Sequence, residues 1–138
     1  MIDPFQAATR IAGAGLESQS TRLRVVAENL ANAQSTGASP GADPYARKTV
    51  SFSSEMDRAS GLSLVRVRNV GVDSSPFRIS RDPGHPAADA NGDVKTPNVD
   101  VLIETADMRE ANRAYQANVQ IVKQARELFS MTLDLMKG

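Results

Sequence analysis

The sequence predicts a mainly α protein: long N- and C-terminal helices paired as a coiled-coil-like axial domain, with a small irregular, β-containing insert between them. Three observations predict it. A seven-residue apolar repeat marks each end, all seven prolines fall at position 4 or between 40 and 97, and the apolar period changes to two in the middle. The expected organisation is a first axial helix over 1–36, an extended or hairpin insert and loop over 37–97, and a second axial helix over 98–138. The first and last segments form one discontinuous domain.

The N-terminal arm carries Ile2, Leu16, Leu23 and Leu30 on one heptad position, with Thr9 as the polar exception. Phe5, Ala12, Val26 and Ala33 occupy the position three residues on, with Gln19 as the exception. Asp3-Pro4 is a good helix start, since aspartate caps the first turn and proline there forfeits only an N–H that has no partner anyway. The pattern runs to about Gln34, a helix about 45 Å long and too long for the core of a small globule. Gly13 and Gly15 weaken it by up to about 1 kcal/mol each, unless a neighbouring backbone comes close there. Ser35-Thr36-Gly37-Ala38-Ser39-Pro40-Gly41 ends it.

Between Tyr45 and Arg81 apolar residues alternate with polar ones, as in Val50-Ser51-Phe52-Ser53, Val65-Arg66-Val67-Arg68 and Phe77-Arg78-Ile79-Ser80. Short half-exposed strands are expected, with one hairpin turning near Val72-Asp73-Ser74-Ser75-Pro76. Asp82 to Pro97 is rich in proline, glycine and asparagine and reads as a loop.

The C-terminal arm starts between Asn98 and Glu104 and runs to the end of the chain. Met108, Tyr115, Val122, Phe129 and Met136 repeat at sevens, flanked by Ala114, Ile121, Leu128 and Leu135. A third, narrower strip holds Ala111 and Ala125 with Asn118 between them. One partner helix cannot cover both main columns and the strip, and an apolar stripe of that length marks an interaction surface.

Composition removes several functions. The 16 basic residues cancel the 16 acidic ones, so no net field favours nucleic acid or anionic lipid. The absence of cysteine excludes disulfides, thiolate metal sites and cysteine nucleophiles. No apolar run approaches the roughly 20 residues of a membrane span. The start, MIDPFQAATR, lacks the basic and apolar regions of a secretory signal, so no conventional cleaved signal is expected.

Candidate chemistry is sparse. Asp89-Ala90-Asn91-Gly92-Asp93 has calcium-loop spacing, but Val94 stands where the loop needs glycine and no Glu closes it, so a polar turn is the better account. His85 is the only histidine and lacks a second ligand or paired base, which points to surface exposure. Gly13-Ala14-Gly15 lies within a helical pattern and is no phosphate loop. Glu104, Asp107 and Glu110 mix with Arg109 and Arg113 and read as a solvated helix start. Neutralising Glu104 and Asp107 is therefore expected to leave function intact. Arg66, Arg68, Arg78 and Arg81 form the most basic stretch, but with only Phe77 for stacking they read as a solvated or subunit-contacting face. No catalytic reading survives; a helical adaptor binding one partner helix and a carboxylate-dependent cell-wall hydrolase in 82–107 are the alternatives to assembly.

Four stretches together resemble the proximal rod proteins of the bacterial flagellar basal body, of the FlgC type. They are Glu28-Asn29-Leu30-Ala31-Asn32-Ala33 with Ser35 and Thr36; Pro44-Tyr45-Ala46-Arg47-Lys48-Thr49-Val50-Ser51-Phe52; Pro83-Gly84-His85-Pro86 through Pro97-Asn98-Val99-Asp100; and Met108, Ala111 and Arg113 to Val119. The order and spacing match over essentially the whole chain. Asp93, Thr96 and Glu104-Thr105 depart from the family pattern at contact positions.

The resemblance implies a non-enzymatic subunit of the rod, the shaft that joins the membrane-embedded ring to the hook and filament. It implies export through the flagellar type III apparatus and helical assembly in the periplasm. The inner layer of the tube would be paired terminal helices that transmit torque and line the export channel. The implied partners are copies of the chain, other rod proteins and the rod–membrane-ring adaptor protein, with no nucleic acid, small-molecule substrate or cofactor. On this reading the subunit-interface residues are Leu16, Leu23, Val26 and Leu30 with the amides Asn29 and Asn32 on the first arm. Tyr115, Asn118, Val122, Leu128, Phe129, Leu133 and Met136 are their counterparts on the last. Asn29 and Asn32 are placed to cap the first helix or bond to the following loop, and Tyr115, Gln116 and Asn118 to make polar contacts that fix register.

Overall fold

A computed structural model describes residues 2–138. The chain is two helices and four strands in the order α1 (Pro4–Ala31), β1 (Lys48–Asp57), β2 (Leu62–Val72), β3 (Arg78–Arg81), β4 (Asp93–Thr96), α2 (Val101–Lys137). It is mainly α with a β-containing insert. Proline opens α1 as its fixed φ favours, and the Asp3 carbonyl accepts the Ala7 N–H at 2.8 Å. The Asp3 side chain does not complete a cap: its Oδ2 is shielded from solvent without a partner among the described residues. α1 stops at Ala31, short of Gln34, because Asn32 Nδ2 turns back to the Glu28 carbonyl at 2.8 Å and the chain leaves in turns. α2 has a complete cap. Asp100 Oδ1 accepts the Leu102 and Ile103 N–H groups at 2.9 and 3.3 Å.

The insert differs from expectation in two places. β1 and β2 form a two-stranded sheet, and their hairpin turns at residues 58–61 instead of near Asp73. Asp57 Oδ1 accepts the Ala59 N–H at 3.3 Å, and Gly61 closes the turn at φ +68, a conformation that penalises any Cβ. The region read as a loop contains β4. It pairs antiparallel with β3 in the register Arg78↔Thr96 to Arg81↔Asp93. Asp89 organises the connection by accepting the Asn91 and Asp93 N–H groups at 2.8 and 3.0 Å. His85 is half-buried, not exposed, with Nδ1 accepting from the Ala87 N–H at 3.0 Å.

Chain contacts divide the molecule into two compact units. The first comprises Met1–Leu23, Ser51–Asn69 and Arg109–Gly138; its buried residues are small, Ala12, Ala14, Ser18, Ala111 and Ala125, with Leu64 from β2. The second comprises Arg24–Val50 and Val70–Met108. Its core holds Val25, Val26, Ala87, Val94, Pro97 and Val99 together with the polar Asn29 and Glu104.

Candidate functional site

In the first unit α1 and α2 run antiparallel, since advance along one is matched by retreat along the other. Phe5 meets Phe129 edge-on with ring centroids 6.3 Å apart. Gly15 lies against Asn118 so closely that a Cβ there would come within 2.7 Å of the amide. Arg22 reaches Glu110 at 3.3 Å. The strip of α2 that α1 covers is therefore the narrow one, in which Ala111 is fully buried and Ala125 nearly so. Small residues bring the two backbones together, and Asn118 turns its Nδ2 to its own helix, to the Ala114 carbonyl at 3.0 Å. The other face of α1 meets the hairpin, where Ser18 Oγ donates to the Val65 carbonyl at 3.4 Å.

The bulky columns of α2 stay in solvent in consequence. Ile121, Leu128 and Leu135, at sevens, are 43%, 51% and 83% exposed. Tyr115, Phe129, Leu133 and Met136 are exposed as well, and Val122 is half-buried. On α1, Leu16, Leu23 and Leu30 are half-buried, whereas Val26 and Asn29 are buried within the chain.

The second unit holds a feature that sequence reasoning missed. Glu104, assigned above to a solvated helix start, is the largest fully buried side chain, at 0% exposure. Its Oε1 accepts Arg47 Nε and its Oε2 accepts Asn29 Nδ2 at 3.1 Å. Asn29 uses its whole amide. Oδ1 accepts the Tyr45 hydroxyl at 2.7 Å and the Lys48 N–H at 2.9 Å, while Nδ2 also donates to the Lys48 carbonyl at 2.9 Å.

Arg47 extends the cluster to Asp73 Oδ2 at 3.4 Å. Asn98, just before α2, accepts the Arg47 N–H at 2.8 Å and donates to the Asp73 and Ser75 carbonyls. Both ends of the hairpin are thereby tied to the start of α2 and the end of α1. Burial, reinforced by the charges of Glu28 and Glu104, raises the Tyr45 pKa. Desolvation works against the Arg47 charge but is outweighed by its bonds to Glu104 and Asp73, which raise its pKa. Bonds from the Ser75 hydroxyl and N–H hold Asp73 below the ordinary carboxylate range.

The cluster has no reactive geometry. Every carboxylate oxygen it buries is committed to a donor, and no group of metal-ligating side chains occurs among the described residues. The signal that would have located it is a heptad: Glu104, Ala111, Asn118 and Ala125 are seven apart, so Glu104 lies on the strip that faces α1.

Comparison with known proteins bears on what the arrangement serves. The family model "Flagellar basal body rod FlgEFG protein C-terminal" matches residues 90–135, which take in β4 and most of α2. The flagellar basal-body rod protein FlgC of Agrobacterium fabrum is 62% identical over 137 residues, covering 99% of both chains. That of Salmonella typhimurium is 44% identical over 128 residues, 91% of this chain and 92% of the relative. That of Borreliella burgdorferi is 31% identical over 145 residues, 93% of this chain and 95% of the relative. With identity this high over nearly its full length, the chain belongs to the FlgC family of flagellar basal-body rod proteins, structural components of the rod and not enzymes.

Proposed function

We propose that α1 and α2 pair as a coiled-coil-like axial domain, residues 1–36 and 98–138 together, with 37–97 as an insert braced on it. Copies of this domain associate with one another, with other rod proteins and with the rod–membrane-ring adaptor protein into a helical tube. The tube carries torque from the motor ring toward the hook and encloses the export channel, and the subunit reaches it through the flagellar type III apparatus. One observation carries this reading: α2 spends a strip of small residues on its own partner helix and leaves the Ile121–Leu128–Leu135 column exposed. A helix arranged this way has a second apolar face for neighbours, where burial contributes roughly 25 cal/mol per Å².

The test is Leu128→Asp in a flagellated host. Leu128 is half exposed, so the isolated variant should melt with the parent, while a charge set in an intersubunit seam should abolish rod assembly and swimming. Swimming at the parental rate would reject the column as an assembly surface.

A further inference from the structure

In the first unit the helix pairing ends before α2 does. Phe5, in the first turn of α1, meets Phe129 edge-on. α2 continues to Lys137, two turns and about 12 Å further. α1 begins at Pro4, so among the described residues no helix accompanies those turns, and Met131, Leu135 and Met136 are 61%, 83% and 79% exposed.

Beside the same two rings lies an open groove of about 470 Å³, walled by Phe5, Phe129 and Ala125, with Asp3, Arg10 and Arg126 around it. Arg10 reaches Asp57 at 3.4 Å. Asp3 lines the groove beside Arg10 and Arg126, so its wall carries both signs of charge. The free end of α2 supplies the complement. Asp134 and Lys137 are three apart and share a face, and they flank Leu135 and Met136 in sequence. The acid complements Arg126, the amine complements Asp3, and the apolar pair complements the aromatic walls.

A chain cannot fill its own groove. α2 is unbroken from Val101 to Lys137, which holds Leu135 about 14 Å along the axis from Arg126. We propose that the groove receives the last turn of α2 from a second copy of this chain, with Leu135 and Met136 seated against Phe5 and Phe129. This rests on the self-assembly reading above and assigns that assembly a specific contact. Groove and tip are different surfaces of one molecule, so the contact is heterologous; repeated head to tail it gives an open helical series or a closed ring.

The chain has no cysteine, which makes an introduced pair an unambiguous reporter. Gln6→Cys lines the groove and Leu135→Cys marks the tip. Cells expressing the double variant in place of the parent are grown reduced, and their basal bodies are isolated and oxidised. The expected product is a covalent species at twice the chain's 14.8 kDa or higher multiples, absent from either single variant. Arg126→Glu in that background should lower its yield about tenfold through like-charge contact with Asp134, and Asp134→Arg should restore it. Basal bodies that contain the double variant yet give no such link, or a link to a protein of another mass, overturn the groove-and-tip contact and leave the assembly reading standing. Absence of the parental chain from basal bodies overturns both.

Discussion

Asn29 binds both backbone groups of Lys48, its Oδ1 accepting the N–H and its Nδ2 donating to the carbonyl, each at 2.9 Å. A helix side chain thus supplies the two-point pairing that a neighbouring strand would give the first residue of β1. The second Nδ2 hydrogen goes to Glu104 on α2 and the second Oδ1 lone pair to Tyr45. An amide offers four such positions and this one fills all four. Helix end, helix start and hairpin base meet on one side chain.

Asn29→Ala therefore leaves four groups without their partner, of which the Glu104 carboxylate is wholly buried and the other three, on Tyr45 and Lys48, are only partly so. A loss of about 3 kcal/mol is expected, since each orphaned buried polar group costs about 1–3 kcal/mol. Asn29→Asp should be no milder, because it keeps the acceptor but places a second carboxylate against Glu104. Thermal and urea unfolding of the isolated chain measure both. A change below about 0.5 kcal/mol for the alanine variant would mean that the cluster does not brace the hairpin.

Glu104→Gln should be damaging, the reverse of what its place among charged neighbours in the sequence suggests. The glutamate is wholly buried and Arg47 faces it, so removing one charge leaves the other uncompensated at a cost of about 3 kcal/mol. Arg47→Leu in the same chain should recover part of the loss, making the double variant less harmful than the two singles added together. Strict additivity in urea titrations would show that the two side chains act independently.

Much of this structure was legible in the sequence because the strongest signals were periodic. Proline confinement and the heptads placed both helices within a few residues, and α2 starts at Val101, inside the expected window of Asn98 to Glu104. The errors share a cause: several features compete for one local pattern. Asp73-Ser74-Ser75-Pro76 looks like a hairpin turn, yet Asp73 is held at the hairpin base by Arg47, while Asp57 and Gly61 make the turn itself. On α2 the large residues form the widest columns, but close packing within the chain selects the smallest strip. Glu104 sits on that strip, and its partner Arg47 is far away in sequence, so local charge pattern could not reveal its burial.

The two glycines of α1 should respond oppositely to alanine. A Cβ at Gly13 meets nothing within 4 Å, whereas one at Gly15 would fall 2.7–2.9 Å from the Asn118 amide. Gly13→Ala should therefore stabilise the isolated chain by about 0.5–1 kcal/mol through helix propensity alone. Gly15→Ala must push Asn118 off its bond to Ala114, and a net destabilisation of about 1 kcal/mol or more is expected despite the same propensity gain. Equal shifts in melting temperature would refute close packing at Gly15, and Gly15→Ala/Asn118→Ala should recover stability relative to Gly15→Ala.

Stability should fall at both ends of the pH scale, for separate reasons. Asp73, Asp57 and Asp89 are held below the ordinary carboxylate range, chiefly by the Ser75 hydroxyl, the Ser60 hydroxyl and the Asp93 N–H respectively. A depressed folded-state pKa means the unfolded chain binds protons first on acidification. The stability these groups contribute is thus present above the ordinary carboxylate range and lost as pH falls through it toward the folded values. Tyr45 has the opposite sign. Its raised pKa, caused first by burial and then by Glu28 and Glu104, leaves its contribution intact below the ordinary tyrosine pKa, and that contribution is lost as pH rises beyond it. Urea unfolding across pH should therefore show two limbs. Ser75→Ala should flatten the acid limb and spare the alkaline one, and Tyr45→Phe should do the reverse, beneath a uniform loss from its missing bond to Asn29. An alkaline limb unaltered by Tyr45→Phe would place its origin in another group.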